Sequence, residues 1–319
     1  MLGLVWTWRG SMTAALVATL SRPAWWSMAL AAFLVRGGIL VLLLPILPLP
    51  SSAALGTTLS PTISALAFGG LTVDVVLAIL VIVTVTLAVL TAVGLAGEWL
   101  DRAQLLEAAT DEDLDLRWRP ARGSLRDALA LRLAAHLPTL AALAYATFRL
   151  ISAAYDELLS PGDVGVELVL RIVARAPDAV LVLWAAWLAG EVIGSLAVRR
   201  AATGATFRQA LGRSVRQLVG RRGLATLAVT SLAVAAVIAP FLVVAARAWE
   251  HVRDLLLGGA HPALVAAALL VLVSTWILGL ATSGAVLAWR TAAWTAEVAP
   301  ATEPVPDVAH VRAEVAMEG

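Results

Sequence analysis

Six long apolar runs constrain the fold of this chain more than any other feature of its sequence. They lie at residues 24–48, 71–98, 133–153, 179–197, 224–246 and 263–289. A helix that crosses a membrane needs about 20 predominantly apolar residues, so each run is long enough for one crossing. Hydrophobic residues make up 61% of the 319-residue chain, a balance that a soluble domain would not need. Because the six runs take up so much of the chain, what remains has no room for a compact soluble domain of ordinary size. We therefore predict an all-α, polytopic membrane protein with six transmembrane helices.

A six-residue pattern precedes every second run: a hydroxyl residue, a large apolar residue, two variable positions, Ala and Leu. Its copies begin at Ser11, Ser124 and Thr206. Because Ser and Thr are favoured at helix N-caps, each copy predicts the start of a short helix. We expect three repeats, each an amphipathic surface helix followed by a helical hairpin. The units cover about residues 11–100, 124–198 and 206–295.

The predicted units form one six-span membrane domain, which we place at residues 1–299. The first apolar run is longer than the about 7–15 apolar residues of a signal peptide, which favours a retained first span over a cleaved signal. Residues 300–319 are rich in Pro, Glu and Ala. That composition predicts a disordered cytoplasmic tail.

The arginines predict how the domain is oriented. All 23 basic residues are Arg, a bias that a GC-rich bacterial genome would produce through its codons. Most of them lie before the first run, between the second and third, between the fourth and fifth, and after the sixth. By the positive-inside rule these segments are cytoplasmic. We therefore expect a multi-pass protein of the bacterial cytoplasmic (inner) membrane with both termini in the cytoplasm.

The composition also excludes several kinds of chemistry. The chain contains no Cys, which excludes thiolate catalysis and thiolate zinc sites, and no Lys, which excludes a P-loop lysine or a Schiff base. Its four His residues form no HExxH motif, and no GxSxG motif is present. The net charge of +1 does not indicate nucleic-acid binding. We predict a non-enzymatic protein without cofactor, metal or catalytic residues.

Charged residues within or at the ends of the predicted spans are candidates for a polar site. Arg36 and Arg149 occupy matching places in the first two units, and Glu98 and Glu191 end matching spans. An intramembrane charge costs about 2.5–3.5 kcal/mol on insertion scales, so it is usually paired or lines a polar cavity. One hypothesis is that Arg36 with Glu98, and Arg149 with Glu191, mark an interior polar pathway or headgroup site. The depth of Arg36 weakens its direct pairing with Glu98.

In the alternative interpretation, the arginines extend to the membrane surface and the glutamates lie at the cytoplasmic interface beside other arginines.

Two further features concern partners. The third surface helix places Arg208, Arg213 and Arg216 away from an apolar face, which predicts contacts with anionic lipid headgroups. Glu167, Arg171 and Arg175 recur every four residues, which predicts a salt-bridged helical face on the external side.

One resemblance rests on Gly190-Glu191, Arg199-Arg200, the segment 206–211 and Arg221-Arg222-Gly223. In these motifs the chain resembles the six-span region that precedes the catalytic barrel of membrane-bound bacterial glycerophosphodiester phosphodiesterases, and related stand-alone membrane proteins. The resemblance implies the six-span plan and the amphipathic linker helices. It does not imply phosphodiesterase activity, because the chain has no room for the barrel.

Three classes of function remain open. The favoured one is an accessory, transport or lipid-handling module, with membrane lipids as partners. The second is a structural subunit of a larger membrane complex, and the third is an intramembrane enzyme. Transport predicts a polar cavity lined by Arg36, Arg149, Glu98 or Glu191, whereas a structural role predicts a dry core with an exposed apolar flank.

Overall fold

The computed structural model describes residues 8–47, 72–109, 124–160, 162, 166 and 168–298. Within this part of the chain the structure is helical and contains no strand. The helices are α1 Trp8–Ser21, α2 Pro23–Phe33, α3 Ile39–Leu43, α4 Val73–Ala109, α5 Leu125–Ala135, α6 Leu137–Leu159, α7 Leu168–Arg175, α8 Pro177–Ala202, α9 Phe207–Val219, α10 Arg221–Leu257 and α11 Pro262–Val298. The predicted tail at 300–319 lies outside the described residues.

Five helical segments are long and apolar enough to cross a membrane. They are Pro23–Leu43, Leu137–Glu157, Pro177–Ala202, Arg221–Leu257 and Pro262–Val298. These segments coincide with five of the six predicted runs, so the prediction of an all-α membrane protein is confirmed at this level. Helix α4 covers the second predicted run, but it is not among the five, and some of its side chains lie outside the described part. The sixth span and the three-unit repeat stay predictions.

The long helices pack as consecutive antiparallel pairs. Helix α2 packs against α4, α6 against α8, and α10 against α11, while α11 also packs against α2. The short helices lie where α4, α8 and α11 end: α1 packs on α11, α5 on α4 and α8, and α9 on α8 and α10. We call this the surface-helix end of the bundle. At this end each of α1, α5 and α9 packs on the second helix of at least one hairpin.

The helix starts agree with two of the three N-cap predictions. Ser124 accepts a hydrogen bond from the Arg126 backbone N–H at 3.1 Å, and Thr206 forms a capping box with Gln209. The prediction for Ser11 is wrong, because α1 begins at Trp8 and Ser11 lies buried inside it. A tertiary contact holds the turn before Ser11 in place: the Trp8 Nε1–H donates to Thr226 Oγ1 on α10 at 2.8 Å.

Two predicted boundaries are wrong for local reasons. The third span begins at Leu137 rather than at residue 133, because the chain bends at His136 and Pro138 occupies the first turn of α6. The helix of the fifth run does not end with the run at residue 246, since α10 continues to Leu257. At about 1.5 Å per residue, this 37-residue helix is longer than the roughly 30 Å hydrocarbon layer. Its last turns therefore extend beyond the layer.

At the opposite end of the bundle, one buried carboxylate connects two helices. Glu157 binds Arg171 Nη1 at 2.8 Å and Arg175 Nε at 2.5 Å, and it accepts the Gly162 backbone N–H at 2.7 Å. The predicted Glu167–Arg175 face lies partly outside the described residues, because Glu167 does. Arg171 and Arg175 instead converge on Glu157, which connects α6 to α7.

Close packing of α2 against α11 generates a testable prediction. A Cβ at Gly284 would lie 2.8 Å from the Trp26 carbonyl oxygen, a backbone atom that cannot rotate away. We expect Gly284→Ala to separate these helices and lower the midpoint of thermal unfolding in detergent. Gly212→Ala is the matched control, because its Cβ would meet nothing within 4 Å and Ala favours a helix by about 1 kcal/mol. Equal midpoints for the two variants would contradict this packing.

Candidate functional site

A kink in the first span positions Arg36. Gly37 has φ +96°, a left-handed conformation that glycine adopts without a steric penalty, and the helix bends here between α2 and α3. The bend lets Arg36 Nη2 reach α4, where it lies 2.7 Å from Asp101 Oδ2 and 3.2 Å from Glu98 Oε1. The Arg36 side chain passes over Gly97, where a Cβ would lie 2.8 Å from Nε. Arg36 therefore contacts Glu98 despite its depth in the predicted span.

Arg132 on α5 connects three carboxylates from two long helices. Its Nε pairs with Glu98, Nη2 lies 2.9 Å from Asp101 Oδ2, and Nη1 lies 3.1 Å from Glu191 Oε2. Arg132 is 7% exposed and Glu98 is 1% exposed. An unpaired buried charge is costly, so the removal of one of these side chains would leave a destabilising charge on its partners. The contacts fix α5 against both α4 and α8.

His136 extends this network at the junction of α5 and α6. Its Nδ1 lies 2.9 Å from the Arg132 carbonyl oxygen, and its Nε2 lies 3.3 Å from Glu191 Oε1. Both neighbours are acceptors, so both ring nitrogens donate only when the ring is the imidazolium. The hydrogen bond to Glu191 raises the pKa of His136 above its usual value of 6.5, against the opposing effect of burial.

We call this network the ion cluster; its members are Arg36, Glu98, Asp101, Arg132, His136 and Glu191. Arg199 lies buried beside it and donates from Nε to Thr295 Oγ1 at 3.0 Å. Counting Arg199, three guanidinium groups stand against three carboxylates. All three carboxylates are paired with Arg36 or Arg132, which suits a structural connection between helices. Among the described residues, no group of three or more His, Asp or Glu is arranged to hold a metal ion.

Arg149 and Glu191 are not brought together, so the predicted pairing of these two is wrong. Arg149 binds Asp178 instead, with Nε 3.0 Å from Oδ2 and Nη2 3.2 Å from Oδ1, and the Tyr145 hydroxyl donates to Oδ2 at 2.5 Å. The reason is the register of the α6–α8 hairpin. Arg149 lies 13 residues beyond His136, which is about 20 Å along a helix. It therefore meets the start of α8 rather than Glu191.

The sequence contains a signal for the buried position of Arg132. Eight residues after the first hydroxyl of each six-residue pattern stand Thr19, Arg132 and Ser214, and all three are buried. The Thr19 and Ser214 hydroxyls each donate to the carbonyl four residues earlier, at 2.7 Å. This position therefore faces the bundle in every short helix. An arginine there indicates buried carboxylate partners.

The exposed side of α9 carries the predicted lipid-contact residues. Arg208, Arg213 and Arg216 are exposed, whereas Ala210, Ser214 and Leu218 are buried. None of the three arginines has an acidic partner within 4 Å among the residues that the structure describes. We call these three residues the α9 arginine face.

A cavity of about 340 Å³ lies next to the ion cluster. It is enclosed by α4, α5, the end of α8 and the start of α9. Its lining residues are Arg102, Leu105, Leu106, Ser124, Asp127, Ala128, Leu131, Val198, Ala201, Ala202, Ala205 and Phe207. None of the four residues expected to line a transport cavity is among them.

Comparison with known proteins adds no relative: no family model, no curated protein and no solved structure matches this chain. The resemblance to the phosphodiesterase membrane region therefore remains a sequence-based interpretation. The features of the molecule that bear on function are the ion cluster, the α9 arginine face and the cavity.

The ion cluster predicts a large effect of Arg132. Replacing it with Gln leaves Glu98, Asp101 and Glu191 without their shared cation, and breaking a buried ion pair costs about 3–5 kcal/mol. We expect Arg132→Gln to lower the denaturant midpoint of the detergent-solubilised protein strongly. Arg126→Gln, an exposed position on the same helix, should leave it unchanged. A midpoint for Arg132→Gln equal to that of Arg126→Gln would contradict the conclusion that Arg132 stabilises the fold by pairing with the three carboxylates.

His136 predicts how stability depends on pH. Its pKa in the folded state is above 6.5, so the proton stabilises the fold below about pH 6.5, the unfolded value. This contribution is lost as the pH rises through the raised pKa. We expect thermal midpoints to fall over that interval in the wild type and to fall less in His136→Gln. His251→Gln, at an exposed site on α10, should retain the wild-type slope; a wild-type slope in His136→Gln would contradict the assignment.

Proposed function

We propose that this protein is a non-enzymatic, multi-pass module of the bacterial cytoplasmic membrane that binds anionic lipid headgroups at its surface-helix end. The observation that carries the proposal is the α9 arginine face. Three exposed guanidinium groups lie on one amphipathic helix without acidic partners among the described residues. Such a helix lies in the headgroup layer and directs its arginines toward phosphates.

The surroundings of α9 add to its positive field. Arg200, at the end of α8, lies close enough to Arg213 for their charges to repel, and it donates to the uncharged Gln217. An anion between the two would relieve that repulsion. An arginine near an anionic membrane surface contributes about 1 kcal/mol, so the three of the α9 arginine face contribute about 3 kcal/mol. That corresponds to roughly a hundredfold preference for anionic lipid.

The orientation follows from the same residues. The positive-inside rule and the exposed arginines favour placing α1, α5, α9 and both termini on the cytoplasmic side. The ion cluster then has a supporting role: it holds α5 at a fixed height on the bundle. Membrane lipids are the proposed partners, and nucleic acid is not.

A lipid-retention experiment tests the proposal. The protein is reconstituted in discs of equal phosphatidylglycerol and phosphatidylethanolamine, and the lipids that it retains are identified by native mass spectrometry. We expect retained phosphatidylglycerol in the wild type and its loss in the triple variant Arg208→Gln/Arg213→Gln/Arg216→Gln, because the cationic face is gone.

The control is Arg247→Gln/Arg253→Gln, which removes two exposed arginines from the other end of α10. It should retain phosphatidylglycerol like the wild type. Equal retention by the triple variant and the wild type would overturn the headgroup proposal, as would an equal loss in the control.

A second candidate, a structural subunit of a larger membrane complex, is favoured by the group of Tyr145, Arg149 and Asp178. Each of these side chains is about two-fifths exposed although it lies in a spanning segment. Polar groups facing hydrocarbon are costly, so a neighbouring membrane protein would stabilise them by covering them. A stoichiometric protein that co-purifies after mild extraction, and is lost in Asp178→Asn, would support this candidate.

A further inference from the structure

The cavity at the surface-helix end has the chemistry of a binding site for a hydrocarbon chain. We propose that it holds one acyl chain of a membrane phospholipid whose headgroup lies against the α9 arginine face. This inference rests on the proposed function, because it uses the same helix to hold the headgroup. It adds a second contact: the lipid is bound by its chain as well as by its phosphate.

The ion cluster keeps the cavity open. Arg132 fixes α5 to Asp101 on α4 and to Glu191 on α8, so these three of the four surrounding helices are held at fixed distances that leave the space open. A Cβ at Gly194 would lie 3.2 Å from Arg132 Cγ, which shows how tightly α5 and α8 meet on one side of the cavity. On the cavity side, α8 ends in small residues. Ala201 and Ala202 at this end, with Ala205 in the loop that follows, leave the space that larger side chains would fill.

The lining selects a hydrocarbon over a polar ligand. Nine of the twelve lining residues are Leu, Val, Ala or Phe; the others are Arg102, Ser124 and Asp127. Among the described lining residues the two charges, Arg102 and Asp127, are opposite and leave no net charge to hold a headgroup. A volume of about 340 Å³ is at the lower end of the roughly 300–1,000 Å³ typical of small-molecule sites. It suits a single chain rather than a whole lipid.

The location identifies the source of that chain. Phe207 lines the cavity and begins α9, and Arg208 of the arginine face follows it directly. At the edge of the cavity Phe207 is 45% exposed and Leu106 is 40% exposed. Large apolar side chains left open beside the headgroup layer gain about 25 cal/mol for each Å² covered by hydrocarbon. A phospholipid with its phosphate on α9 has its chains at this entrance.

Photolabelling tests the site directly in the whole protein. Discs are prepared with a phosphatidylglycerol that carries a diazirine on one acyl chain, illuminated, and the labelled peptides are mapped by mass spectrometry. We expect labels at Leu131, Val198 and neighbouring lining residues, which are separate from the hydrocarbon-facing surfaces of the long helices. Labels confined to those outer surfaces would overturn the proposal.

Two variants test the cavity itself. Ala202→Phe fills it, and we expect labelling of the lining to fall by about tenfold, which corresponds to about 1.4 kcal/mol. Ala236→Phe adds the same ring to an exposed position on α10 and should leave the labelling unchanged. Undiminished labelling in a folded Ala202→Phe would overturn the proposal. If that variant does not fold, the smaller change Ala205→Leu replaces it. Undiminished labelling of the lining in Ala205→Leu, or a wild-type map without labels in the lining, would then overturn the proposal.

A second lipid and the arginine variant distinguish the headgroup proposal from the chain-site proposal. If a diazirine-labelled phosphatidylcholine labels the lining equally, and Arg208→Gln/Arg213→Gln/Arg216→Gln has no effect, the chain site stands and the anionic-headgroup proposal fails. If the triple variant loses retained phosphatidylglycerol but the wild-type lining is never labelled, the headgroup proposal stands and the chain site fails. Arginine-dependent labelling of the lining supports both.

Discussion

The contact between Arg132 and three carboxylates is the interaction on which the surface-helix end of this protein depends. Glu98 and Asp101 belong to α4, and Glu191 belongs to α8, so one guanidinium group joins a short helix to two long ones. Buried charges of this kind add little to stability when compared with apolar packing, but they permit very few alternative arrangements. Here they define where α5 lies. The position of α5 in turn determines the shape of the space beside it.

Two consequences follow from this arrangement. The helices around Arg132 enclose a cavity that small residues at the end of α8 leave unfilled. The same end of the bundle presents α9, with its apolar side on α8 and α10 and its arginines outward. An apolar cavity beside a cationic helix matches the two parts of an anionic phospholipid. The function that we propose therefore rests on two neighbouring surfaces rather than on the charged residues inside the bundle.

Much of the fold could be predicted from the sequence, because length and apolarity determine which segments cross a membrane. The N-caps at Ser124 and Thr206 were also predictable, since each is followed by the expected helical pattern. The position of Ser11 inside α1 was not, because the turn before it is held by the distant contact between Trp8 and Thr226. The site was predicted only in part. Its contact between Arg36 and Glu98 depends on the positive φ of Gly37, and the partner of Arg149 depends on hairpin register, neither of which composition or spacing determines.

The most direct test of this account is a disulfide at the contact between α5 and α8, measured in the membrane. The chain contains no Cys, and a Cβ at Gly194 would lie 3.5 Å from the Ala135 Cβ, which is compatible with a disulfide. In Ala135→Cys/Gly194→Cys we predict rapid cross-linking on mild oxidation, and we predict that adding Arg132→Gln slows it strongly while adding Arg126→Gln does not. Equally rapid cross-linking without Arg132 would contradict the claim that the ion cluster positions α5.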